Sequence, residues 1–190
     1  MARTPSNMTE LGTKAPDFDL PDVVSGKRFT LKSFADKPAL LVMFICKHCP
    51  YVVHVEKELA KLGKDYRSIG VVAISSNDAS VYHEDAPDGL REQARRVGFT
   101  FPYLYDESQE VAKSYRAACT PDLFLFDGSL KLVYRGQLDD SRPGNSIPVT
   151  GKDIRAAIDA VLAGQIPNSD QRPSIGCNIK WKPGNEPAAI

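Results

Sequence analysis

Apolar residues are grouped along the chain in a way that predicts alternating strands and helices. Residues 39–45 form an unbroken apolar run, which is typical of a strand buried on both faces. Between residues 52 and 62, apolar positions recur at helical spacing with charges between them, and residues 69–75 form a second short buried run. Strand, helix and strand in this order predict a βαβ unit of a parallel sheet.

Shorter elements are predicted on both sides of this unit. Alternating runs over residues 15–20 and 26–31, around a turn-rich middle, indicate an N-terminal β-hairpin. The remaining predictions, in chain order, are a polar loop over 79–88, a helix over about 87–97, a short helix over 107–115, a strand pair over 123–126 and 131–135, a loop over 138–150 and a final helix over 151–162.

The pattern predicts one domain, residues 12–164, and a C-terminal extension, residues 165–190, that packs on it. In this extension Ile175, Cys177, Ile179 and Trp181 alternate with other residues, as in a segment that packs against a surface. We therefore expect the extension to be ordered.

Charge and hydrophobicity narrow the class of protein. Lysines and arginines number 24, as do aspartates and glutamates, so the net charge indicates neither a nucleic acid nor an anionic membrane as partner. The first residues are polar, and no stretch approaches the roughly 18 apolar residues of a membrane-spanning helix. We expect a cytoplasmic protein without membrane contact, either a monomer or a dimer.

The motif Cys46-Lys47-His48-Cys49 lies where the first apolar run ends and the helical spacing begins. Cysteines at this spacing can close a small disulfide ring, and the N–H groups at a helix start stabilise a thiolate at the first cysteine. A thiolate is the species that attacks disulfides. A protonated His48 and Lys47 add positive charge. The motif therefore predicts a redox dithiol.

A second motif, Thr120-Pro121, precedes the predicted strand pair. With both motifs, the chain resembles thioredoxin-fold proteins over about residues 12–162, specifically the redoxin branch related to alkyl hydroperoxide reductases and thiol-specific antioxidant proteins. The resemblance implies an α/β fold with a central mixed β-sheet flanked by helices, an N-terminal β-hairpin and a C-terminal tail. It also implies that Pro121 is cis and faces the dithiol, and that Thr120 and Pro121 bind substrate backbone.

The resemblance implies a thiol-disulfide oxidoreductase that needs no cofactor. Cys46, expected to be the more exposed sulfur, is the predicted nucleophile, Cys49 is the resolving thiol, and His48 stabilises the thiolate. The expected partners are protein or small-molecule disulfides and a thiol that donates electrons.

The proton acceptor for the second cysteine is a departure from the thioredoxin pattern. Thioredoxins carry a buried carboxylate on the strand before the dithiol, whereas residues 39–44 contain none. Glu56 and Asp122 are alternatives from elsewhere in the chain. Their other interpretations are a solvated helix charge for Glu56 and a turn residue for Asp122.

Two further cysteines leave alternatives open. Cys119 directly precedes Thr120, so it is either a third redox-active sulfur or a buried small residue. Cys177 follows Gly176, which permits close backbone approach. It is either a packing residue or a sulfur that returns over the dithiol as a resolving thiol or a cap.

Peroxide reduction is the nearest alternative function. The peroxidase pattern P-x-x-x-T-x-x-C, placed on Cys46, requires threonine at Met43 and proline at Leu40; placed on Cys49, it fails at Cys46 and Met43. The arginine expected from that family is missing from residues 121–126. The sequence therefore predicts weak peroxidase activity at most.

A soft-metal site is the other alternative, and its ligands would be Cys46, Cys49 and Cys177 with His48 or His54. The sequence has neither a second C-x-x-C nor an H-x-x-x-H motif, so we predict no metal. Nucleotide-binding motifs such as G-x-G-x-x-G or a P-loop are also missing.

Overall fold

The computed structural model describes residues 3–188, with ten strands and four α-helices in that range. The strands are β1 (Arg3–Pro5), β2 (Asp19–Pro21), β3 (Arg28–Thr30), β4 (Ala39–Phe44), β5 (Gly70–Ser75), β6 (Tyr103–Tyr105), β7 (Cys119–Thr120), β8 (Asp122–Asp127), β9 (Leu132–Gly136) and β10 (Ile175–Asn178). The helices are α1 (Pro50–Asp65), α2 (Pro87–Val97), α3 (Glu110–Ser114) and α4 (Lys152–Leu162).

A five-stranded mixed sheet in the order β6-β5-β4-β8-β9 forms the centre of the fold. β4 pairs in parallel with β5 and antiparallel with β8, and every residue of β4 and β5 is buried. Continuous apolar sequence in these strands is explained by this burial on both faces. The predicted α/β fold with a central mixed sheet is confirmed.

Alternation along β4 divides the core into two layers. Leu41 and Met43 pack in one cluster with α1, α2 and α4, whereas Leu40 and Val42 pack on the opposite face with the N-terminal hairpin and α3. Successive side chains of a strand point to opposite faces, so a continuous apolar strand can fill both layers. The sheet thereby fixes β4, and the connection that follows it, between two packed layers.

The N-terminal hairpin is shorter than its sequence pattern suggested. β2 and β3 pair over three positions, from Asp19 opposite Thr30 to Pro21 opposite Arg28. Phe18, which precedes β2, is buried in the core without joining the ladder, and residues after β3 enter a short 3-10 helix, Leu31–Phe34. Apolar burial, rather than strand pairing, therefore accounts for part of the alternating pattern.

A second sheet, in the order β1-β10-β7, joins segments from opposite ends of the sequence. β10 is antiparallel to both neighbours, and Cys177 stands opposite Arg3 on one side and Thr120 on the other. The sequence pattern indicated an ordered tail but neither β1 nor this pairing. The last two residues of the predicted extension lie outside the described residues.

Within residues 3–188, no helix is both long enough and apolar enough to cross a membrane.

Truncation of Leu41 tests the contribution of β4 to the core. Leu41 has no exposed surface, so Leu41→Ala leaves a cavity and should lower the free energy of unfolding by about 2–5 kcal/mol. Ile166→Ala is the matched control, because Ile166 is 92% exposed and should change stability by less than about 0.5 kcal/mol. Urea unfolding monitored by circular dichroism measures both, and equal effects would contradict the assigned core.

Candidate active site

The dithiol lies in the connection between the central strand and the first helix. β4 ends at Phe44, and Cys49 is the N-cap residue of α1, whose first residue is Pro50. The missing N–H of proline costs nothing at this position, and the partial positive charge of the helix N-terminus lies beside Cys49. The order of strand, motif and helix that the sequence predicted is the order observed.

The peptide bond between Thr120 and Pro121 is cis and lies against this connection. The Cys46 Sγ and Thr120 Oγ1 atoms are 3.4 Å apart, and the Cys49 Sγ lies 3.3 Å from the carbonyl oxygen of Thr120. The structure thus brings together the two motifs that are separated by about seventy residues in the sequence.

Both sulfur-bearing residues of the motif are buried. Cys46 is 1% exposed and Cys49 is 0% exposed, so both residues are shielded from solvent and their exposures hardly differ. The reason is that β10 lies along β7, beside the dithiol, and Cys177 is itself only 2% exposed.

A buried carboxylate that the sequence analysis missed organises the motif. Asp85 Oδ1 accepts hydrogen bonds from the backbone N–H groups of Lys47, at 2.8 Å, and of His48, at 3.2 Å. Its Oδ2 accepts a bond from Asn77 Nδ2 at 2.8 Å and contacts Nδ1 of the His48 ring. Asp85 lies within the predicted polar loop, where no sequence signal separates it from neighbouring acidic residues.

His48 is held in place by this carboxylate. The hydrogen bond to Asp85 raises the pKa of His48 above its ordinary value, although burial opposes the shift. Burial alone would raise the pKa of Asp85, but bonds from His48 and Asn77 keep it below its ordinary value. The His48 ring also stacks on Tyr82, with centroids 5.0 Å apart. A histidinium paired with a carboxylate is therefore the favoured state beside the dithiol.

Negative charge in the reduced dithiol is concentrated on Cys49. The hydrogen bond from Cys46 and further bonds from Thr120 and Cys177 outweigh burial and lower the pKa of Cys49 to about 4. Burial, the bond to Cys49 and the charge of Asp85 raise the pKa of Cys46 well above its ordinary value. The sequence pattern placed the thiolate on Cys46, whereas this arrangement makes Cys46 the proton donor in a shared hydrogen bond.

Glu56 is not a solvated helix charge, as one interpretation of the sequence had it. The residue is buried, and its carboxylate binds Arg96 at 2.8 Å and Gln93 Nε2 at 3.3 Å. Gln93 Nε2 also lies 3.4 Å from the carbonyl oxygen of Cys46, so Glu56 is linked to the motif through Gln93. Burial is compensated here by an ion pair, which explains why a charged residue occupies the inner face of α1.

Asp122 is the other carboxylate considered as a proton acceptor. It is buried, its Oδ2 accepts the N–H of Ala118, and burial raises its pKa to about 7. Burial raises the pKa of Cys119, and the negative charge of Asp122 raises it further. Asp122 thus lies beside the cis peptide bond and next to Cys119.

The two remaining cysteines differ in their relation to the dithiol. Cys119 Sγ contacts the carbonyl oxygen of Pro121 at 3.6 Å. Cys177 donates to Cys49 with both its side chain and its backbone N–H, and burial followed by this contact raises the pKa of Cys177 to about 12. The sulfurs of Cys46, Cys49 and Cys177 therefore lie in one group in which Cys49 shifts the pKa of both other thiols.

Cys46, His48 and Asp85 also form a cluster of possible metal ligands, with one atom of each within 4.8 Å of the others. The His48 and Asp85 atoms are bonded to each other, which is the ordinary arrangement of an ion pair. Hydrogen bonding accounts for this cluster.

Comparisons with known proteins identify the family and the fold. The sequence model described as "AhpC/TSA family" matches residues 11–135. A crystal structure of an uncharacterized conserved protein from Geobacillus kaustophilus is 54% identical and has a TM-score of 0.95, with 97% of this chain and 98% of that chain covered. A hypothetical protein from Sinorhizobium meliloti 1021 is also 54% identical, with a TM-score of 0.93 and coverage of 95% and 100%.

A more distant structure shares the fold. The thioredoxin domain of a thiol-disulfide oxidoreductase from Bacteroides vulgatus is 18% identical, with a TM-score of 0.57 and coverage of 66% of this chain and 87% of that chain. No curated protein matches the chain.

Thiolate titration tests the charge distribution within the sulfur group. With a pKa of about 4, against 9.0 for an unperturbed thiol, Cys49 should give ultraviolet thiolate absorbance that persists down to acidic pH. Cys177→Ala removes a side-chain donor and should raise the midpoint, whereas Cys119→Ala should leave it unchanged, because the Cys119 sulfur contacts Pro121 instead. A midpoint near the ordinary thiol value in the unaltered protein would contradict the assignment.

The ion pair between His48 and Asp85 should make stability depend on pH. Because folding raises the pKa of His48, its contribution is complete below the ordinary value of about 6.5 and is lost as pH rises through the raised value. We expect His48→Ala to cost roughly 1.5–3 kcal/mol at about pH 6 and less at about pH 9. Urea unfolding at both pH values measures this, with the exposed His83→Ala as control; a cost that is the same at both would exclude the ion pair.

Proposed function

The chain belongs to the AhpC/TSA family, whose thioredoxin fold serves redox enzymes, and on this premise we propose that it is a thiol-disulfide oxidoreductase that cycles Cys46 and Cys49 between dithiol and disulfide. The observation that carries the proposal is the position of both sulfurs at the N-terminus of α1 and against Thr120, at 3.4 Å for Cys46 and 3.3 Å for Cys49. The cis peptide bond of Thr120 and Pro121 supports it by its position against both sulfurs.

In the proposed cycle, Cys46 attacks a sulfur of a protein or small-molecule disulfide. Its proton passes to the neighbouring thiolate of Cys49, which acts as the base in this first step. The first half of the substrate leaves as a thiolate, and a mixed disulfide with Cys46 remains. Cys49 passes its proton to the departing thiolate and attacks Cys46 Sγ, and the second half of the substrate leaves as a thiolate. An external dithiol, or two thiols, then reduces the Cys46–Cys49 disulfide.

His48 and Asp85 position the motif in this proposal. The carboxylate fixes the backbone of Lys47 and His48, and the histidinium supplies positive charge next to the sulfurs. Lys47 forms an ion pair with Glu92 at 2.8 Å, so part of its charge is neutralised. His48 is likewise paired with Asp85, so each of the two cations beside the motif has a carboxylate partner.

Peroxide reduction is the second candidate, because the family also includes enzymes of that kind. Against it, Leu40 and Met43 occupy the positions at which the peroxidase pattern on Cys46 has proline and threonine, and both are buried in the core. Cys46 Sγ instead contacts the hydroxyl of Thr120, at 3.4 Å. We therefore propose disulfides as the better substrates.

A coupled assay tests the proposal. Reduction of oxidised glutathione and of insulin, driven by dithiothreitol, should be accelerated by the protein and lost in Cys46→Ser and Cys49→Ser. Val53→Ser is the matched control, because Val53 lies on α1 with half of its surface exposed, and it should retain full activity. Hydrogen peroxide is assayed in parallel, and rapid, saturable peroxide consumption without disulfide reduction would replace the proposed function by the second candidate.

A further inference from the structure

The edge of β7 is occupied by the protein's own tail. A strand that ends at a cis-proline offers backbone groups to an extended peptide, which binds by adding a strand. β10 does so here: Cys177 pairs with Thr120, and Asn178 pairs with Cys119. The N–H of Ile179 continues the contact by donating to the carbonyl oxygen of Ala118 at 3.1 Å. The tail therefore lies where an extended substrate would bind in the proposed function.

Gly176 makes this close approach possible. A Cβ atom at this position would lie 1.9 Å from the carbonyl oxygen of Thr120, which is far inside any permitted contact. Ser174 adds a side-chain hydrogen bond of 2.6 Å to the carbonyl oxygen of Pro121. The tail is thus fitted to the backbone on both sides of the cis peptide bond.

Strand geometry selects Cys177, and not Cys119, as the sulfur that faces the dithiol. Successive residues of a strand point to opposite sides. The Thr120 side chain contacts Cys46 Sγ, so Cys119, which precedes it in β7, points away from the dithiol, and Cys177, opposite Thr120, points toward it. The hydrogen bonds from Cys177 to Cys49 agree with this orientation.

We propose that β10 takes part in thiol-disulfide exchange at the active site. In this reaction Cys177 attacks the Cys46–Cys49 disulfide at Cys49 Sγ. This inference rests on the proposed function, because a disulfide substrate supplies the oxidation. The S–S bond between Cys46 and Cys49 breaks, a bond between Cys49 and Cys177 forms, and Cys46 leaves as a thiolate that takes up the proton lost by Cys177. The electron count of the protein is unchanged, and an external dithiol later reduces the Cys49–Cys177 bond.

Oxidation of the dithiol makes Cys177 a better nucleophile. In the reduced protein burial, followed by the neighbouring Cys49 thiolate, raises the pKa of Cys177 and keeps it protonated. Once Cys49 is in a disulfide it carries no charge, so the electrostatic part of this effect is removed. The attack is therefore favoured only after the first disulfide has formed, which sets the order of the steps.

The experiment uses the full chain treated with oxidised glutathione, quenched with acid, alkylated and mapped as peptides without reduction. We expect the unaltered protein to contain a Cys49–Cys177 linked fraction with an alkylated Cys46. Cys46→Ser should convert its glutathione adduct at Cys49 into the same link. When Gly176→Ala is combined with Cys46→Ser, the conversion should be about tenfold slower or more, because the substitution displaces β10. Combining Cys119→Ser with Cys46→Ser should leave the rate of conversion unchanged.

The outcomes distinguish a failure of this inference from a failure of the proposed function. If Cys177→Ser forms the Cys46–Cys49 disulfide but no protein ever yields the Cys49–Cys177 link, the inference is overturned and the proposed function stands. If neither link forms in any protein, the proposed function fails as well. If the Gly176→Ala protein does not fold, Ser174→Ala replaces it, because this substitution removes only the side-chain hydrogen bond to Pro121. An unchanged rate of link formation in the Ser174→Ala protein would contradict the idea that docking of β10 brings Cys177 to Cys49.

Discussion

The buried carboxylate of Asp85 is the constraint on which the rest of the site depends. An ionised group without partners in the interior is strongly unfavourable, and each oxygen of Asp85 is satisfied by the motif or by a residue that supports it. The carboxylate thereby fixes the backbone of the C-x-x-C connection and the ring of His48. Asn77 extends this arrangement, because its Oδ1 accepts the N–H of Lys180 in the tail at 2.9 Å. The Asn77 side chain therefore connects the tail, through Asp85, to the backbone of the C-x-x-C motif.

The proposed cycle does without the strand carboxylate that thioredoxins carry. β4 is apolar throughout because it is buried on both faces, so it has no place for a charge. In the proposed cycle, Cys49 exchanges protons with Cys46 and with the departing thiolate, and Cys177 lies beside Cys49. Glu56 lies farther out and is neutralised by Arg96. The result is a site in which hydrogen bonds between sulfurs, rather than a dedicated base, decide where the charge resides.

Sequence reasoning succeeded where a local pattern determines structure. The apolar runs identified β4 and β5, the cysteine spacing at a strand end located the dithiol, and Thr120-Pro121 marked the cis peptide bond. It failed where distant segments decide the outcome. Asp85 looks like its acidic neighbours in a polar loop until the fold brings it under the motif. The pairing of β1 with β10 joins short segments with little propensity of their own, and only Gly176 before Cys177 hinted at close backbone contact.

Because the three sulfurs are buried, the rate at which they react with a thiol reagent reports local opening of the structure around them. Because Cys46, Cys49 and Cys177 are each at most 2% exposed, a bulky thiol reagent reaches them only in molecules whose tail strand has separated. Its rate is then the intrinsic rate multiplied by the fraction of open molecules, which reports the free energy of separating β10 rather than that of global unfolding. Amide hydrogen exchange along β10 measures the same equilibrium without touching sulfur, so the two rates together give the energetic price of access to the dithiol.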